Sequence, residues 1–200
     1  MRNLIPTLQF KTTKFLTVLA VLFATGCAAI TLTTTSSEKD SAMTYEVSVE
    51  RRIIIKKDIE SVFNFITAED VLPKVLTGYG PLPGVTHTSE VSGPWDVANS
   101  TRIVHLADRS TVREQMLSRI PFESFSYRVW EVGNPIIATL ATSANGDWKF
   151  KSVHEGTAVT WKYTFKAKNA LTAIPLSVIA QLLFRGYMDV CLANTVKYMQ

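Results

Sequence analysis

Near residue 168 the hydrophobic period of the chain changes abruptly. Val159, Trp161, Tyr163 and Phe165 alternate with Thr160, Lys162, Thr164 and Lys166, a period of two that describes a strand with one buried aromatic face. From Ala173 to Met199 the polar residues Ser177, Gln181, Arg185 and Asp189 recur every four positions, and Val178, Ile179, Leu182, Leu183, Val190 and Leu192 make a broad apolar surface. That spacing predicts a long amphipathic helix, with Pro175 near its start, where a missing amide costs little, and Arg185 and Asp189 as an i,i+4 pair. A sheet and a helix that are each apolar on one side must cover each other.

The preceding chain supplies the rest of the sheet. Met43 to Lys57 reads as a first long strand, because Tyr45, Val47 and Val49 alternate with Glu46, Ser48 and Glu50. Asp58 is placed to cap a helix carrying Ile59, Val62, Phe63 and Ile66, and Ala68 to Leu76 makes a second short helix interrupted by Pro73. Gly78 to Gly84 is dominated by turn formers and reads as a loop. Turn signals then recur at Gly93-Pro94, Asp108-Arg109, Pro121-Phe122-Glu123, Gly133-Asn134-Pro135, Asn145-Gly146 and His154-Glu155-Gly156, delimiting about six further strands.

The N-terminal residues have a different character. Arg2, Lys11 and Lys14 precede the apolar run Phe15 to Phe23, and Ala24-Thr25-Gly26-Cys27 follows. This is the order of a secretory signal peptide, and the last four residues resemble the lipobox of bacterial lipoproteins, with Ala24 where leucine is commonest. The resemblance implies a signal peptide over 1–26, acylation of Cys27, a Thr/Ser-rich tether over 27–42 and a folded domain over 43–200. A retained helical anchor and plain secretion are the alternatives, and all three place the domain outside the cytoplasm; the lipid-anchored reading places it in the cell envelope, on the periplasmic or surface side. Setting aside these three cations from 21 basic and 17 acidic residues leaves a balance of +1. A body so nearly neutral lacks the basic footprint of a nucleic-acid binder. Cys191, between Val190 and Leu192, reads as a buried small hydrophobe.

The order of elements resembles the helix-grip fold of the START and Bet v 1-like (SRPBCC) superfamily, which includes polyketide cyclases and lipid-transport-like proteins. The local features that carry the resemblance are Gly93-Pro94-Trp95 before Thr101-Arg102-Ile103-Val104, the turn Asp108-Arg109-Ser110, Val112-Arg113-Glu114, Phe125-Ser126-Tyr127, and Gly156-Thr157 before Thr160-Trp161. It implies an α+β fold: a curved antiparallel sheet wrapped around a long C-terminal helix, with two short helices after the first strand. It also implies an apolar ligand held between sheet and helix; some relatives are enzymes.

Alternation puts Glu114 on the inward side of its strand with Val112 and Met116, and puts Arg102 on one face with Val104 and Leu106. If the loop around Asp108 has an odd number of residues, Arg102 and Glu114 face each other on neighbouring strands. Such a pair either orients a ligand's carbonyl or hydroxyl in an apolar pocket or simply satisfies itself as a structural ion pair. With Val104, Met116, Tyr127, Trp148, Trp161 and Tyr163 these residues form the expected ligand site, within an aromatic concave face that also includes Phe125, Phe150 and Phe165. Tyr79, Leu82, Pro83 and Trp95 lie in loops at the expected open end, as a gate.

His87, His105 and His154 have no metal-ligand spacing, and neither a nucleotide fingerprint nor a nucleophile elbow is present, so no metal or cofactor is expected. The expected function is binding or transport of a small hydrophobic molecule (a lipid, isoprenoid or polyketide-like compound) in an envelope lipoprotein. The alternatives are a cyclase or dehydratase in which Glu114 moves a proton and Arg102 stabilises an oxyanion, and an envelope interaction protein with a closed core.

Overall fold

The computed structural model describes residues 30–32, 43–89 and 91–200. Cys27 and the expected signal peptide lie outside them. The elements run β1 (Ile30–Leu32), β2 (Tyr45–Ile55), α1 (Ile59–Ile66), α2 (Leu72–Val75), β3 (Gly78–Tyr79), β4 (Leu82–Pro83), β5 (Val85–Ser89), β6 (Thr101–Leu106), β7 (Thr111–Ile120), β8 (Ser124–Trp130), α3 (Pro135–Leu140), β9 (Ala141–Val153) and β10 (Gly156–Ala167). One continuous C-terminal helix follows, formed by α4 (Ala170–Ile179), a π-helical turn (Ala180–Phe184) and α5 (Arg185–Tyr198). The main sheet is antiparallel throughout, in the order β1-β2-β10-β9-β8-β7-β6-β5. Its concave face receives α1, α2 and the C-terminal helix, which is the expected helix-grip architecture.

Local chemistry explains the early elements. Asp58 caps α1 by accepting from the Ser61 amide at 2.8 Å, and Val62, Phe63 and Ile66 fall on its buried side. Pro73 sits at the start of α2, where its missing N–H costs nothing. The expected loop at 78–84 is a small hairpin instead, β3 pairing β4 through Gly78–Pro83 and Tyr79–Leu82. Gly78 and Gly80 take φ of 101° and 55°, which only glycine adopts without strain.

Several expectations are corrected. Asn145-Gly146 is not a turn but lies inside β9. A Cβ at Gly146 would overlap the Tyr127 ring from β8, so glycine serves close side-chain approach across the sheet. Gly133-Asn134-Pro135 is a turn, but it also starts α3: Asn134 Oδ1 accepts from the amides of Ile136 and Ile137 at 3.1 and 3.2 Å. Residues 30–32 of the expected tether form β1 on the edge of β2; Ile30 and Leu32 favour strand, and the edge offers unpaired backbone groups.

The C-terminal helix departs most from the sequence reading. It begins at Ala170, because Asn169 and Thr172 form a reciprocal capping box, so Pro175 is interior and the Leu171 carbonyl loses its intrahelical donor. Leu171 is exposed, which leaves that carbonyl to water. The inward face carries Ala173, Leu176, Ala180, Met188, Cys191 and Leu192. Of the expected apolar surface only Leu192 is fully buried, and Val178 and Leu182 face outward. Asp189 does not pair with Arg185; it takes the bidentate fork of Arg51 on β2, at 2.5 and 2.6 Å.

Gly146→Ala is expected to destabilise the fold by about 1–3 kcal/mol through overpacking against Tyr127. Thermal melts should show a lower Tm, partly restored when Tyr127→Leu is added; an unchanged melt for the single variant would contradict the close approach.

Candidate functional site

The β6–β7 hairpin sets the site's register. The Leu106 amide donates to Ser110 O at 2.9 Å, leaving Ala107, Asp108 and Arg109 as a three-residue loop. Arg109 takes φ of 71°, and Asp108 Oδ1 accepts from the Ser110 amide and hydroxyl at 2.9 and 2.6 Å. The odd loop makes Arg102 and Glu114 direct partners in register.

Both side chains are buried. Arg102 Nε donates to Glu114 Oε2 at 2.9 Å, Nη2 lies 2.8 Å from the same oxygen in the ion pair, and Nη1 donates to Glu69 O at 3.2 Å. The guanidinium carbon lies 3.6 Å from the centroid of the Trp95 ring, a cation–π contact strengthened by exclusion of water. Trp95 is thus corrected from gate to buried support beneath the ion pair. Both arginine contacts converge on one carboxylate oxygen. Among the described residues no donor reaches Oε1, so that oxygen is available to a ligand.

Beside Glu114 lies a cavity of about 130 Å³. Val104, Glu114, Tyr127, Trp161, Tyr163 and Leu82 line it, as do Leu76, Val129, Ile137, Ile179, Phe184 and Tyr187. Leu82, Pro83, Asn134, Ile179 and Phe184 are only half-buried and mark its open side, between the β3–β4 hairpin, the start of α3 and the π turn. A second, smaller cavity of about 40 Å³ touches Arg102, Trp95 and Trp148. Glu114, Tyr127 and Trp161 line both and form the partition between them. Met116 lines neither; it is fully buried in the core. Tyr79 also lines neither, and its ring lies over Gly186, where a Cβ would collide with it.

The polar groups of the site are few. Trp161 is 2% exposed and stacked on Trp148 at 4.5 Å between centroids; its Nε1–H meets no acceptor among the described residues. Burial, reinforced by the nearby Glu114 charge, raises the ionisation of Tyr127, Tyr163 and Tyr187 far above the ordinary phenol range, so each remains a neutral hydroxyl. Burial pushes the Cys191 thiol up to about 12. Arg102 stands behind Glu114 and does not line the larger cavity, a position that takes it away from the oxyanion role considered for a cyclase. No cluster of metal-ligating side chains occurs among the described residues.

The sequence reading missed the helix's share of the site. Ile179, Phe184 and Tyr187 come from the segment whose polar repeat drew attention to its outer side, and the π turn shifts the helical phase between them. Ile137 was missed because α3 was read only as a turn.

Residues 46–200 match the model of the family described as polyketide cyclase / dehydrase and lipid transport. The chain belongs to this family. No curated protein matches it by sequence. Among solved structures, major latex-like protein 151 of Panax ginseng superposes with a TM-score of 0.58 at 14% identity, covering 76% of this chain and 97% of its own. A protein of Mesorhizobium loti gives 0.57 at 8% identity, covering 76% and 96%. One from Bacillus thuringiensis gives 0.54 at 17% identity, covering 76% and 97%. At such identities these likenesses speak for the fold, the helix grip, over most of the domain.

Two predictions follow from the buried groups. Arg102→Met leaves the Glu114 carboxylate without its partner and should cost about 3–5 kcal/mol. Adding Glu114→Leu should recover most of it, as read in urea unfolding; equal damage from single and double variants would sink the account. For Cys191, the unfolded thiol ionises from its ordinary 9.0 while the folded thiol holds its proton to about 12. The folded state then binds more protons, so this contribution is intact below 9 and declines between those values. At about pH 8.5 iodoacetamide should modify Cys191 only after unfolding, since the thiolate is the reactive form. Peptide mapping of native protein that found rapid alkylation there would contradict the burial.

Proposed function

We propose that this chain binds and carries a small, largely apolar molecule bearing a hydroxyl or similar oxygen substituent, outside the cytoplasm and tethered to a membrane by its N-terminal segment. The observation that carries the reading is an apolar cavity lined by Trp161, whose buried indole N–H meets no acceptor among the described residues, and by Glu114, whose recorded arginine contacts fall on Oε2. A hydroxyl satisfies both kinds of group, accepting from an indole and donating to a carboxylate. The apolar remainder is stabilised by burial at about 25 cal/mol per Å².

The cavity limits what is enclosed. Its volume of about 130 Å³ is close to that of apolar protein cavities of about 150 Å³ that accept a single aromatic ring. A longer isoprenoid, lipid or polyketide-like molecule would place its polar end inside and extend through the open side. Anchoring rests on the basic residues, apolar run and cysteine of the first 27 residues.

The test uses the full chain purified from its own host and examined by native mass spectrometry with solvent extraction. A bound apolar compound carrying an oxygen group is expected. Trp161→Phe should lower its retention about tenfold, the worth of one buried hydrogen bond of roughly 1–1.5 kcal/mol, without lowering Tm by more than a few degrees. Protein that is empty from every envelope fraction would overturn carriage; conversion of a supplied compound that Glu114→Gln abolishes would favour the cyclase alternative.

A further inference from the structure

The outer side of the C-terminal helix is apolar where a solvent-facing helix is ordinarily polar. Leu171, Ile174, Val178 and Leu182 are 80%, 62%, 53% and 68% exposed. Their spacing of three and four places them in one stripe along α4 and the π turn. Single exposed apolar side chains are ordinary, but a contiguous stripe of large ones marks a docking surface. Ile136 on α3, which packs beside α4, is 61% exposed and widens it. No charged residue occurs between Lys168 and Arg185, and these two cations, both exposed, bracket the stripe.

The start of the described chain lies at the same place. Ile30 of β1 pairs with Val47 of β2, and the next β2 residue, Ser48, accepts from Gln181 Nε2 of the π turn through its carbonyl at 3.4 Å. Tyr45 of β2 pairs with Ala167, just before α4 begins, and α4 packs on β2. Residues N-terminal to Ile30 therefore join the body at the sheet edge that the apolar helix covers. Cys27 is three residues away, a reach of at most about 10 Å. The tether reading of 27–42 implied a body standing off from the bilayer; β1 shortens that leash to these three residues.

We infer that the stripe Leu171–Ile174–Val178–Leu182 lies on the lipid bilayer that holds the N-terminal segment, with the open side of the ligand cavity against the same surface. This rests on the anchoring proposed above. The occupant is a lipid surface because Ile30, from which the sequence leads back to the apolar N-terminal run, sits on the β2 edge where α4 packs, and because cations at both ends of an uncharged stripe suit a layer of anionic headgroups. Ile179 and Phe184 connect the two features: they line the cavity while their helical neighbours Val178 and Leu182 face outward. An apolar ligand then passes between bilayer and cavity without crossing water.

The experiment uses the full chain on vesicles of phosphatidylethanolamine and phosphatidylglycerol doped with a diazirine-tailed phosphatidylcholine, with photo-adducts mapped by mass spectrometry. Adducts in both the 1–27 and 169–184 peptides are the expected result. The variant Ile174→Glu/Val178→Glu/Leu182→Glu should lose about tenfold or more of the helix adducts, since charged side chains do not enter the apolar layer, while keeping its circular dichroism and its N-terminal adducts. Adducts in 1–27 alone would overturn docking and leave anchoring intact. Adducts in 169–184 alone would support docking and reject anchoring, and adducts in neither would reject both. A chain whose helix peptides cross-link to a second copy instead of to lipid would overturn the proposal in favour of a dimer.

Discussion

One helix has to cover the concave face of a strongly curved sheet. That face is lined by Phe125, Trp148, Phe150, Trp161, Tyr163 and Phe165, whose rings lie 4.5–6.5 Å from their neighbours in a nearly continuous series. Large flat side chains fix the curvature and supply most of the apolar burial, but they cannot interdigitate with a single helix along its whole length. The helix meets the rings with Phe184, 4.4 Å from Tyr163 and 5.0 Å from Phe165 between centroids, and buries the small groups Ala173, Ala180 and Cys191 elsewhere along the same side. Where the sheet opens toward β6 and β7 the facing helical side chains no longer reach, and the cavity occupies the remainder. Close packing and an unfilled space are thus two results of one geometry.

The Arg102–Glu114 pair must be understood against that apolar background. Two charges removed from water lose hydration worth several kcal/mol each, which their attraction offsets only with good geometry and further hydrogen bonds. Arg102 has both: an ion pair and a hydrogen bond on one carboxylate oxygen, a second hydrogen bond to Glu69 O and the Trp95 ring beneath it. Glu114 is less fully satisfied, because its second oxygen lacks a donor among the described residues. The asymmetry sets the arginine as the fixed member of the pair and the carboxylate as the member with capacity to spare.

Much of the fold was legible because it rests on short-range rules. Period-two alternation identified β2 and β10, Asp58 announced α1, and the period change near residue 168 located the C-terminal helix. The facing of Arg102 and Glu114 followed from alternation together with the parity of one loop. What escaped depends on contacts between elements. Asn145-Gly146 has the composition of a turn, and only the Tyr127 ring on the neighbouring strand explains a glycine in mid-sheet. The fate of Trp95 depends on Arg102, which lies on another segment. Apolar pattern alone cannot tell a helix face turned to a sheet from one turned outward, and so Val178 and Leu182 were expected inside, while of that surface Ile179 reaches the cavity and Leu192 the core. β1 is held by three residue pairs on an edge, too short to leave a pattern.

The π turn at Ala180–Phe184 has a separate consequence for how the chain tolerates change in length. A π turn holds one residue more than an α-helical turn, and each residue of an α-helix advances the side chains by about 100°. Loss of one residue elsewhere in the helix would rotate everything beyond it, carrying Tyr187, Met188 and Cys191 out of the core and Asp189 away from Arg51. Loss of one residue within 180–184 instead converts the π turn to ordinary helix and leaves both flanking segments in phase. The five-residue bulge is therefore a length reserve, a stretch of the grip helix where one residue can be lost without turning α5 away from the core.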